Sequence, residues 1–392
     1  MIPELWDEKN QQFRKNIIGS QEFTRDNAQD IADVFDNLRK FILRESYKLP
    51  GVATTEWLQT TIDKFTHRET PRNETLNQYI KRFLKEAKSG ERLCFSGNSK
   101  RQYSAGSIRN MKDFKTSFNL YQTNRRKRLN FEDITIDFYN DYLAYFFKRK
   151  CGTNYVGKHL KTLKTIMRQA REEGLHNNME VERKAFRVIR EDVDSVYLTA
   201  DEVTSLFEMT FPDSEKHYEV ARDVFLCGIY TAQRYSDYSR ITKDNIRGGN
   251  IELIQSKTGE KCIIPIRPEL DLILKKYDYT LPRTHDQKIN LYIKEIARRA
   301  GITETINTEK TKGGFKVKEK FEKCQLIRTH TARRTGCTLM YLAGIASLDI
   351  MKISGHRTER EFLKYIKVTK EQTAANLSLH PYFAGNLLKV VK

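Results

Sequence analysis

The stretch Ile353-Ser-Gly-His-Arg-Thr-Glu-Arg-Glu-Phe-Leu-Lys-Tyr365 brings a histidine, a helix start and a tyrosine close together along the chain. Gly355 favours the left-handed backbone that commonly ends a helix, and His356 follows it directly. Thr358, with a glutamate three residues later, forms a capping box that predicts a new helix carrying the tyrosine. Taken alone, the histidine also fits a structural hydrogen bond, and the tyrosine one more helix aromatic among 19 tyrosines.

Three earlier stretches carry further charged or imidazole groups. In Thr-Ala-Gln-Arg-Tyr-Ser-Asp, Arg234 and Asp237 lie on one side of a helical turn, so the carboxylate can aim the guanidinium. Lys257 lies in the hairpin turn Ser-Lys-Thr-Gly, from which an ammonium can reach into a cleft. His330 and Arg333 are again three residues apart on one helix face. Each stretch alone also fits a surface ion pair, a turn lysine or a structural histidine.

Together these groups are the set needed to transesterify a phosphodiester without a metal ion. Two guanidiniums can hold the non-bridging oxygens of a pentacoordinate phosphorane, which carries extra negative charge. A phenol can be the nucleophile, while an imidazole and an ammonium move the protons. No acidic cluster suited to two Mg²⁺ ions lies beside these groups, which argues against two-metal nuclease chemistry.

The C-terminal half resembles the tyrosine recombinase (phage integrase) family in the order of its functional groups, which are Arg234, Lys257, His330, Arg333, His356 and Tyr365. The spacing of nine positions between the last two residues also fits that family. The phrases Ile-Ser-Gly-His-Arg-Thr, Tyr-Ile-Lys-Val-Thr-Lys and His-Pro-Tyr-Phe are most similar to integrases of Bacteroidetes mobile elements.

The resemblance implies a role for each group that would hold the scissile phosphate. Arg234 and Arg333 would clamp its oxygens, and His356 would donate a hydrogen bond to it. Asp237 would orient Arg234. The family usually has Thr-Gly-x-Arg at the first arginine, whereas this chain has Ala232 in place of the glycine. Because alanine lacks glycine's freedom at positive φ, the local turn is expected to differ.

The resemblance also implies the covalent chemistry. Tyr365 would attack the phosphate and form a 3′-phosphotyrosyl link, with no cofactor, metal or ATP. His330 would assist proton transfer at the tyrosine, and Lys257 would be the general acid for the 5′-hydroxyl leaving group. The implied function is a site-specific DNA recombinase that integrates or excises a mobile element.

The family's partners follow from the same resemblance. Members work as a tetramer on two DNA duplexes, and accessory DNA-bending or directionality proteins are expected. The segment Asn376–Lys392 has apolar residues that suit packing on a neighbouring subunit or, equally, on its own domain. Relatives commonly open with a β-rich arm-binding domain whose end reads like Ile-Pro-Glu-Leu-Trp-Asp, the second to seventh residues here. We therefore expect this chain to lack a complete arm-binding domain.

Hydrophobic periodicity predicts a mainly α fold in three parts. Residues 1–70 form an N-terminal helical segment, residues 74–190 a helical core-DNA-binding bundle, and residues 199–392 a mostly helical catalytic domain. Two strands around a glycine-containing turn, between residues 250 and 266, predict a small antiparallel hairpin in the last part. Residues 303–320, rich in Lys, Gly and Thr, are predicted to be a mobile loop.

The four predicted bundle helices cover Leu76–Leu84, Ile108–Leu120, Ile136–Arg149 and Val156–Glu173. Their polar faces are strongly basic, which usually means a solvated surface, but the single sign of charge favours a face that follows DNA phosphates. The candidate DNA-binding residues are Arg101, Arg109, Lys112, Arg125, Arg126, Lys158, Lys161 and Lys164.

Composition supports this reading. The 392 residues include 70 Lys and Arg against 51 Asp and Glu, a net charge of +19 that favours nucleic acid over a membrane surface. No apolar run approaches the ~18 residues of a membrane span, and the first residues do not resemble a secretory signal. Six cysteines lack metal-ligand spacing, so we expect reduced thiols and no metal in a cytoplasmic protein.

Three alternatives remain open from the sequence. A type IB topoisomerase shares this chemistry but relaxes supercoils without joining two duplexes. A DNA-binding regulator could carry the same groups without using them. A metal-dependent nuclease could use His330 and His356 as ligands and would be sensitive to chelators.

Overall fold

The computed structural model describes residues 6–7, 12–13, 25–47, 51–65, 74–96, 99–366, 368, 374–375, 377–378, 380 and 382–383. The chain divides into two compact units, which are Met1–Glu191 with Lys312–Gly314, and Asp192–Thr311 with Phe315–Lys392. Among the described residues, no helix is long and apolar enough to cross a membrane.

The first described elements are partly helical, as predicted, but not entirely. Helix α1 covers Arg25–Ser46 and helix α2 covers Thr55–Phe65, where the apolar spacing predicted them. Before them, strand β1 (Trp6–Asp7) pairs antiparallel with strand β2 (Gln12–Phe13), where a helical segment was predicted. Two-residue strands are too short to show the alternation that identifies a strand in sequence.

The bundle of the first unit confirms all four predicted helices, which are α3 (Leu76–Ser89), α4 (Ala105–Arg125), α5 (Ile136–Lys148) and α6 (Thr153–Glu172). These helices share one apolar core. Leu120 was predicted to face that core but is 52% exposed, and the adjacent Tyr121 is buried instead. A hairpin of strands β3 (Leu93–Ser96) and β4 (Ser99–Gln102) joins α3 to α4 and was not predicted.

His159 is a fully buried histidine on α6, and neither of its ring nitrogens has a hydrogen-bond partner. Its ring lies against the rings of Phe114, Phe146 and Tyr155, at centroid distances of 6.1, 5.4 and 4.5 Å. Burial among them, followed by the charge of Lys158, lowers the pKa of His159 from 6.5 to about 4. The folded bundle therefore holds an uncharged imidazole that the unfolded chain would protonate below neutral pH.

We expect His159→Leu to weaken the acid sensitivity of the protein. Between pH 6.5 and pH 4 the unfolded chain binds a proton at His159 that the folded chain does not bind, so stability falls as the pH is lowered through that window. For the pKa of about 4, the loss between pH 7 and pH 5 is about 2 kcal/mol. Urea unfolding at both pH values would measure it, with the exposed His285→Gln as control. An unchanged pH dependence in His159→Leu would contradict this account.

The second unit contains the remaining helices and strands. Its helices are α7 (Ala200–Glu208), α8 (Lys216–Thr231), α9 (Tyr235–Tyr238), α10 (Pro268–Lys276), α11 (Asp286–Arg299), α12 (Lys323–Leu326), α13 (Thr329–Leu342), α14 (Ser347–Ser354) and α15 (Glu359–Leu363). Its strands are β5 (Ile246–Arg247), β6 (Asn250–Ile254), β7 (Lys261–Pro265), β8 (Thr305–Lys312, all but its last residue) and β9 (Phe315–Glu322). The described chain is thus mainly helical with small antiparallel sheets, which confirms the predicted fold class.

Helix α8 lies at the centre of this unit and is buried from Ala221 to Ile229. Helix α13 approaches it closely because Gly336 has no side chain, and a Cβ there would lie 2.1 Å from the carbonyl oxygen of Ile229. Gly228 likewise makes room for the ring of Tyr238. The close contact brings the C-terminal end of α8 beside α13, which places the two candidate arginine segments side by side.

The sheets of the second unit confirm one prediction and correct another. Strands β6 and β7 form the predicted hairpin, and β5 adds a third strand. Residues 303–320 were predicted to be a mobile loop, but most of them belong to the paired strands β8 and β9. Gly313 and Gly314, with φ of 60° and 83°, form the two-residue turn. The abundance of Lys, Gly and Thr concealed an alternating strand pattern.

Most of the segment Asn376–Lys392 lies outside the described residues, and so does the predicted docking of this segment on its own or a neighbouring domain.

Candidate active site

Arg234 follows a left-handed turn at the end of α8. Ala232 has φ of 52° and ψ of 26°, and Arg234 caps the start of α9. The expectation that alanine would change this turn is therefore wrong, since Ala232 adopts the positive φ that glycine favours. Its methyl group packs against Cys337, Ile350 and Phe362 in a small core, and this packing holds the strained residue in place. A left-handed non-glycine residue costs about 1–2 kcal/mol.

Ala232→Gly should leave the free energy of unfolding within about 1 kcal/mol of wild type, because relief of backbone strain offsets the greater entropy of an unfolded glycine. The same substitution at Ala221, in the middle of α8, should lower it by about 1 kcal/mol or more, since glycine weakens a helix interior. Urea unfolding measures both variants. An equal decrease in the free energy of unfolding at the two positions would show that the turn at Ala232 is unstrained.

Arg234 is held by an amide rather than by the predicted carboxylate. Its Nη1 donates a hydrogen bond of 2.7 Å to Oε1 of Gln255, a residue that the sequence analysis did not identify. Asp237, which was expected to orient Arg234, instead accepts a 2.9 Å hydrogen bond from the backbone N–H of Ser256. Asp237 therefore holds the hairpin turn that carries Lys257.

His330 lies in the first turn of α13; the residue as a whole is exposed, although its imidazole packs against the ring of Tyr365. Loss of contact with water, and then the charges of Arg334, Arg333, Arg234 and Lys257, lower the pKa of His330 to about 4. The imidazole is therefore neutral at neutral pH and can accept a proton. Lys257 lies in the turn between β6 and β7, and its charge is one of those that lower the pKa of His330.

Arg333 is completely buried on α13. Its Nη1 donates to the carbonyl oxygens of Ala232 (3.0 Å) and Ser354 (2.7 Å), and its Nη2 lies 2.9 Å from Nε2 of His356. Its Nε has no hydrogen-bond partner. Burial lowers the pKa of Arg333, and no carboxylate of the described chain forms an ion pair with it. Its hydrogen-bond partners are neutral groups, which are two carbonyl oxygens and the imidazole of His356.

The hydrogen bonds around His356 define its tautomer. Ser354 Oγ donates to the carbonyl oxygen of Ile350 (2.6 Å) and lies 2.8 Å from Nδ1 of His356. Since the hydroxyl proton is already used, Nδ1 carries the ring proton and Nε2 accepts from Arg333. Burial, followed by the charge of Arg333, lowers the pKa of His356 to about 3. In the chain without DNA, Nε2 of His356 therefore contacts Arg333; the hydrogen bond from His356 to the phosphate stays a prediction.

Tyr365 completes the cluster just beyond α15. Its ring centroid lies 4.5 Å from that of His356, 5.2 Å from that of His330 and 5.4 Å from Cζ of Arg333. Its carbonyl oxygen accepts a 3.1 Å hydrogen bond from Thr338 Oγ1. The tyrosine is half-buried, so the predicted nucleophile lies beside both imidazoles and one guanidinium.

A cleft of about 1060 Å³ opens beside this cluster in the second unit and includes His330 in its lining. Its basic residues are Lys294, Arg298, Lys310, Arg328, Arg334 and Lys364. Its acidic residues are Asp192, Asp194, Glu295 and Glu309. Within the described residues, no group of three or more His, Cys, Asp or Glu side chains could hold a metal ion.

The eight candidate DNA-binding residues of the first unit fall into two groups. Arg125 pairs with Asp141, Lys158 with Asp113, and Lys164 donates a hydrogen bond to a backbone carbonyl oxygen, so these three have partners inside the protein. The other five are exposed and form no ion pair within the described residues; they are Arg101, Arg109, Lys112, Arg126 and Lys161.

Residues 75–188 match the phage integrase SAM-like domain, and residues 196–372 match the phage integrase family. The chain belongs to the tyrosine recombinase family. A lambda integrase dimer bound to a COC′ core site matches this recombinase with a TM-score of 0.55 and 19% identity, over 74% of this chain and 95% of that chain. No curated protein sequence matches it.

Two further solved structures share the fold of this recombinase. A lambda integrase tetramer bound to a Holliday junction matches with a TM-score of 0.55 and 19% identity, over 81% of this chain and 87% of that chain. The Tn1549 transposon integrase in complex with circular intermediate DNA matches with a TM-score of 0.53 and 12% identity, over 78% of this chain and 99% of that chain. At these identities the likeness shows the fold alone.

Proposed function

We propose that this recombinase cuts and rejoins DNA at specific sites through a 3′-phosphotyrosine intermediate, and so integrates or excises a mobile element. The observation that carries the proposal is the position of Tyr365, whose ring packs against His330, His356 and Arg333. A tyrosine placed there can reach a phosphate held by the arginines.

In the proposed reaction the phenolic oxygen of Tyr365 attacks the scissile phosphorus while the P–O5′ bond breaks. The phenolic proton passes to the neutral imidazole of His330, and the ammonium of Lys257 protonates the departing 5′ oxygen. Arg234 and Arg333 stabilise the charge that develops on the non-bridging oxygens. One phosphodiester replaces another, so the 5′ hydroxyl of a second strand can reverse the step without ATP.

An unpartnered donor supports the role of Arg333. A buried N–H without an acceptor is costly, and Nε of Arg333 is such a group. A phosphate oxygen would compensate the buried charge, and would give Nε an acceptor once the groups that cover Arg333 move aside on DNA binding. The site is thus better satisfied with the scissile phosphate than with neutral protein groups alone.

The proposed partner is double-stranded DNA, bound by several copies of the chain. The five exposed, unpaired basic residues of the first unit are the proposed contacts to the DNA backbone. A homotetramer on DNA is proposed by analogy with the lambda integrase tetramer on a Holliday junction.

A suicide substrate tests the proposal. The duplex carries the end sequences of the element that encodes this chain and a nick a few bases beyond the scissile phosphate, so the short 5′-hydroxyl fragment diffuses away. We expect a covalent protein–DNA adduct, in EDTA and without ATP, mapped by mass spectrometry to Tyr365. No adduct on this substrate, or attachment through another residue, would overturn the proposal.

A further inference from the structure

Gln255 lies immediately after β6 and joins the two arginines of the candidate site. We propose that Gln255 is a positioning residue for DNA cleavage, which holds Arg234 in place without neutralising its charge. The inference rests on the proposed function and extends it to a residue outside the predicted catalytic set.

The side chain of Gln255 uses all its hydrogen-bonding positions. It is 1% exposed. Its Oε1 accepts from Nη1 of Arg234 and from Oγ1 of Thr258, both at 2.7 Å. Its Nε2 donates to Oε1 of Gln233 at 2.6 Å and to the carbonyl oxygen of Ser354 at 2.7 Å. Four hydrogen bonds fix the direction of the amide.

These hydrogen bonds connect the two guanidiniums. The carbonyl oxygen of Ser354 accepts from both Gln255 and Arg333. The path from Arg234 to Arg333 therefore runs through one amide and one carbonyl. Gln233 extends the network, since its Nε2 donates to the carbonyl oxygen of Ile353 at 2.7 Å.

The turn after α14 closes directly on this amide. Gly355 has φ of 67°, and a Cβ at that position would lie 2.4 Å from Nε2 of Gln255. Gln255 also lies two residues before Lys257, in a turn whose backbone Asp237 holds. The same side chain therefore fixes the hairpin, one arginine and the turn that presents His356.

Because the side chain of Gln255 is a neutral amide, it leaves the positive charge of Arg234 in place. A carboxylate would orient Arg234 equally well, but it would cancel much of the positive charge that stabilises the phosphorane. No carboxylate forms an ion pair with Arg234 in the described part of the chain. An amide oxygen orients the guanidinium and leaves its full charge for the phosphate.

The test is Gln255→Met, which keeps the length of the side chain and removes its hydrogen bonds. With the suicide substrate and saturating protein, the cleavage rate should fall about 100-fold, the usual effect of a misplaced catalytic group. The Kd for DNA should stay within about threefold, since most phosphate contacts lie elsewhere. Gln122→Met is the matched control, because Gln122 is also buried and hydrogen-bonded but lies in the bundle, so its cleavage rate should match wild type.

A double-mutant cycle separates positioning from simple loss of structure. If Gln255 acts through Arg234, Gln255→Met should slow cleavage less than about threefold further in an Arg234→Ala background. If Gln255→Met does not fold, Gln255→Glu carries the same cycle, since a carboxylate keeps the side-chain size but pairs with Arg234 and cannot donate to Ser354.

Two outcomes overturn the positioning role while leaving the proposed function standing. In the first, the wild-type chain forms the adduct and the Gln255 variant cleaves at the wild-type rate. In the second, the effects of Gln255→Met and Arg234→Ala on the cleavage rate are fully additive. Absence of an adduct with the wild-type chain would instead overturn the proposed function, and the positioning role with it.

Discussion

Tyr365→Phe is expected to abolish strand cleavage, with a loss on the order of 10⁴-fold or more, because the variant lacks the oxygen that forms the bond to phosphorus. The phenylalanine ring keeps the ring packing of Tyr365 against His330, His356 and Arg333. Folding and DNA affinity should therefore match wild type. Adduct formation on the suicide substrate and fluorescence anisotropy with labelled DNA measure the two properties separately.

Tyr341→Phe is the matched control. Tyr341 is partly buried against the same small core as Tyr365, so the substitution removes a hydroxyl from the same neighbourhood. We expect Tyr341→Phe to form the adduct at the wild-type rate. Cleavage that persists in Tyr365→Phe would contradict the assignment of the nucleophile, as would an equal loss in both variants.

Arg333→Met should reduce cleavage on the order of 10³-fold while changing the free energy of unfolding by less than about 2 kcal/mol. Burying a charge without a counter-ion costs several kcal/mol, which the hydrogen bonds from Arg333 to neutral acceptors roughly offset. Removing the guanidinium therefore removes a cost and a benefit of similar size. A stable but inactive variant is the expected result, measured by urea unfolding and by single-turnover cleavage.

Arg222→Met is the opposite case in the same unit. Arg222 is also buried, but it pairs with Asp223 at 2.7 Å and donates to the carbonyl oxygens of Phe207 and Met209. Breaking this buried pair should lower the free energy of unfolding by about 3 kcal/mol, with Lys276 still pairing with Asp223. Cleavage per folded molecule should stay at the wild-type rate. Similar destabilisation by the two variants would show that the charge of Arg333 is compensated after all.

Local chemistry in the sequence predicted much of the site. The capping box at Thr358 is formed in part, since Thr358 Oγ1 accepts from the N–H of Glu361, and Gly355 adopts the left-handed backbone that ends α14. Such features depend on residues within one turn of each other, so spacing along the chain is sufficient to predict them. The order of the motifs, rather than any local rule, suggested that distant segments meet.

Contacts between distant segments were the part that sequence could not supply. Asp237 was expected to orient Arg234, but the fold brings the backbone of Ser256 to its carboxylate instead. Gln255 carried a usable signal, because it continues the buried alternation of Ile251 and Leu253 and a polar residue in that phase needs partners. Only Thr258 is near in sequence; the other three partners lie 21 to 99 positions away, so their identity required the structure.

The short connection between His356 and Tyr365 has a consequence for an assembly of several copies. Phe362, on α15, is fully buried in the small core, and Tyr365, three residues later, packs against the same core in its own chain. If the proposed function holds, we expect each subunit to make the first cut with its own Tyr365 and without a nucleophile from a neighbouring subunit. In a complex that mixes active and inactive copies, an inactive copy would leave only its own DNA strand uncut, and the active copies would still cut theirs.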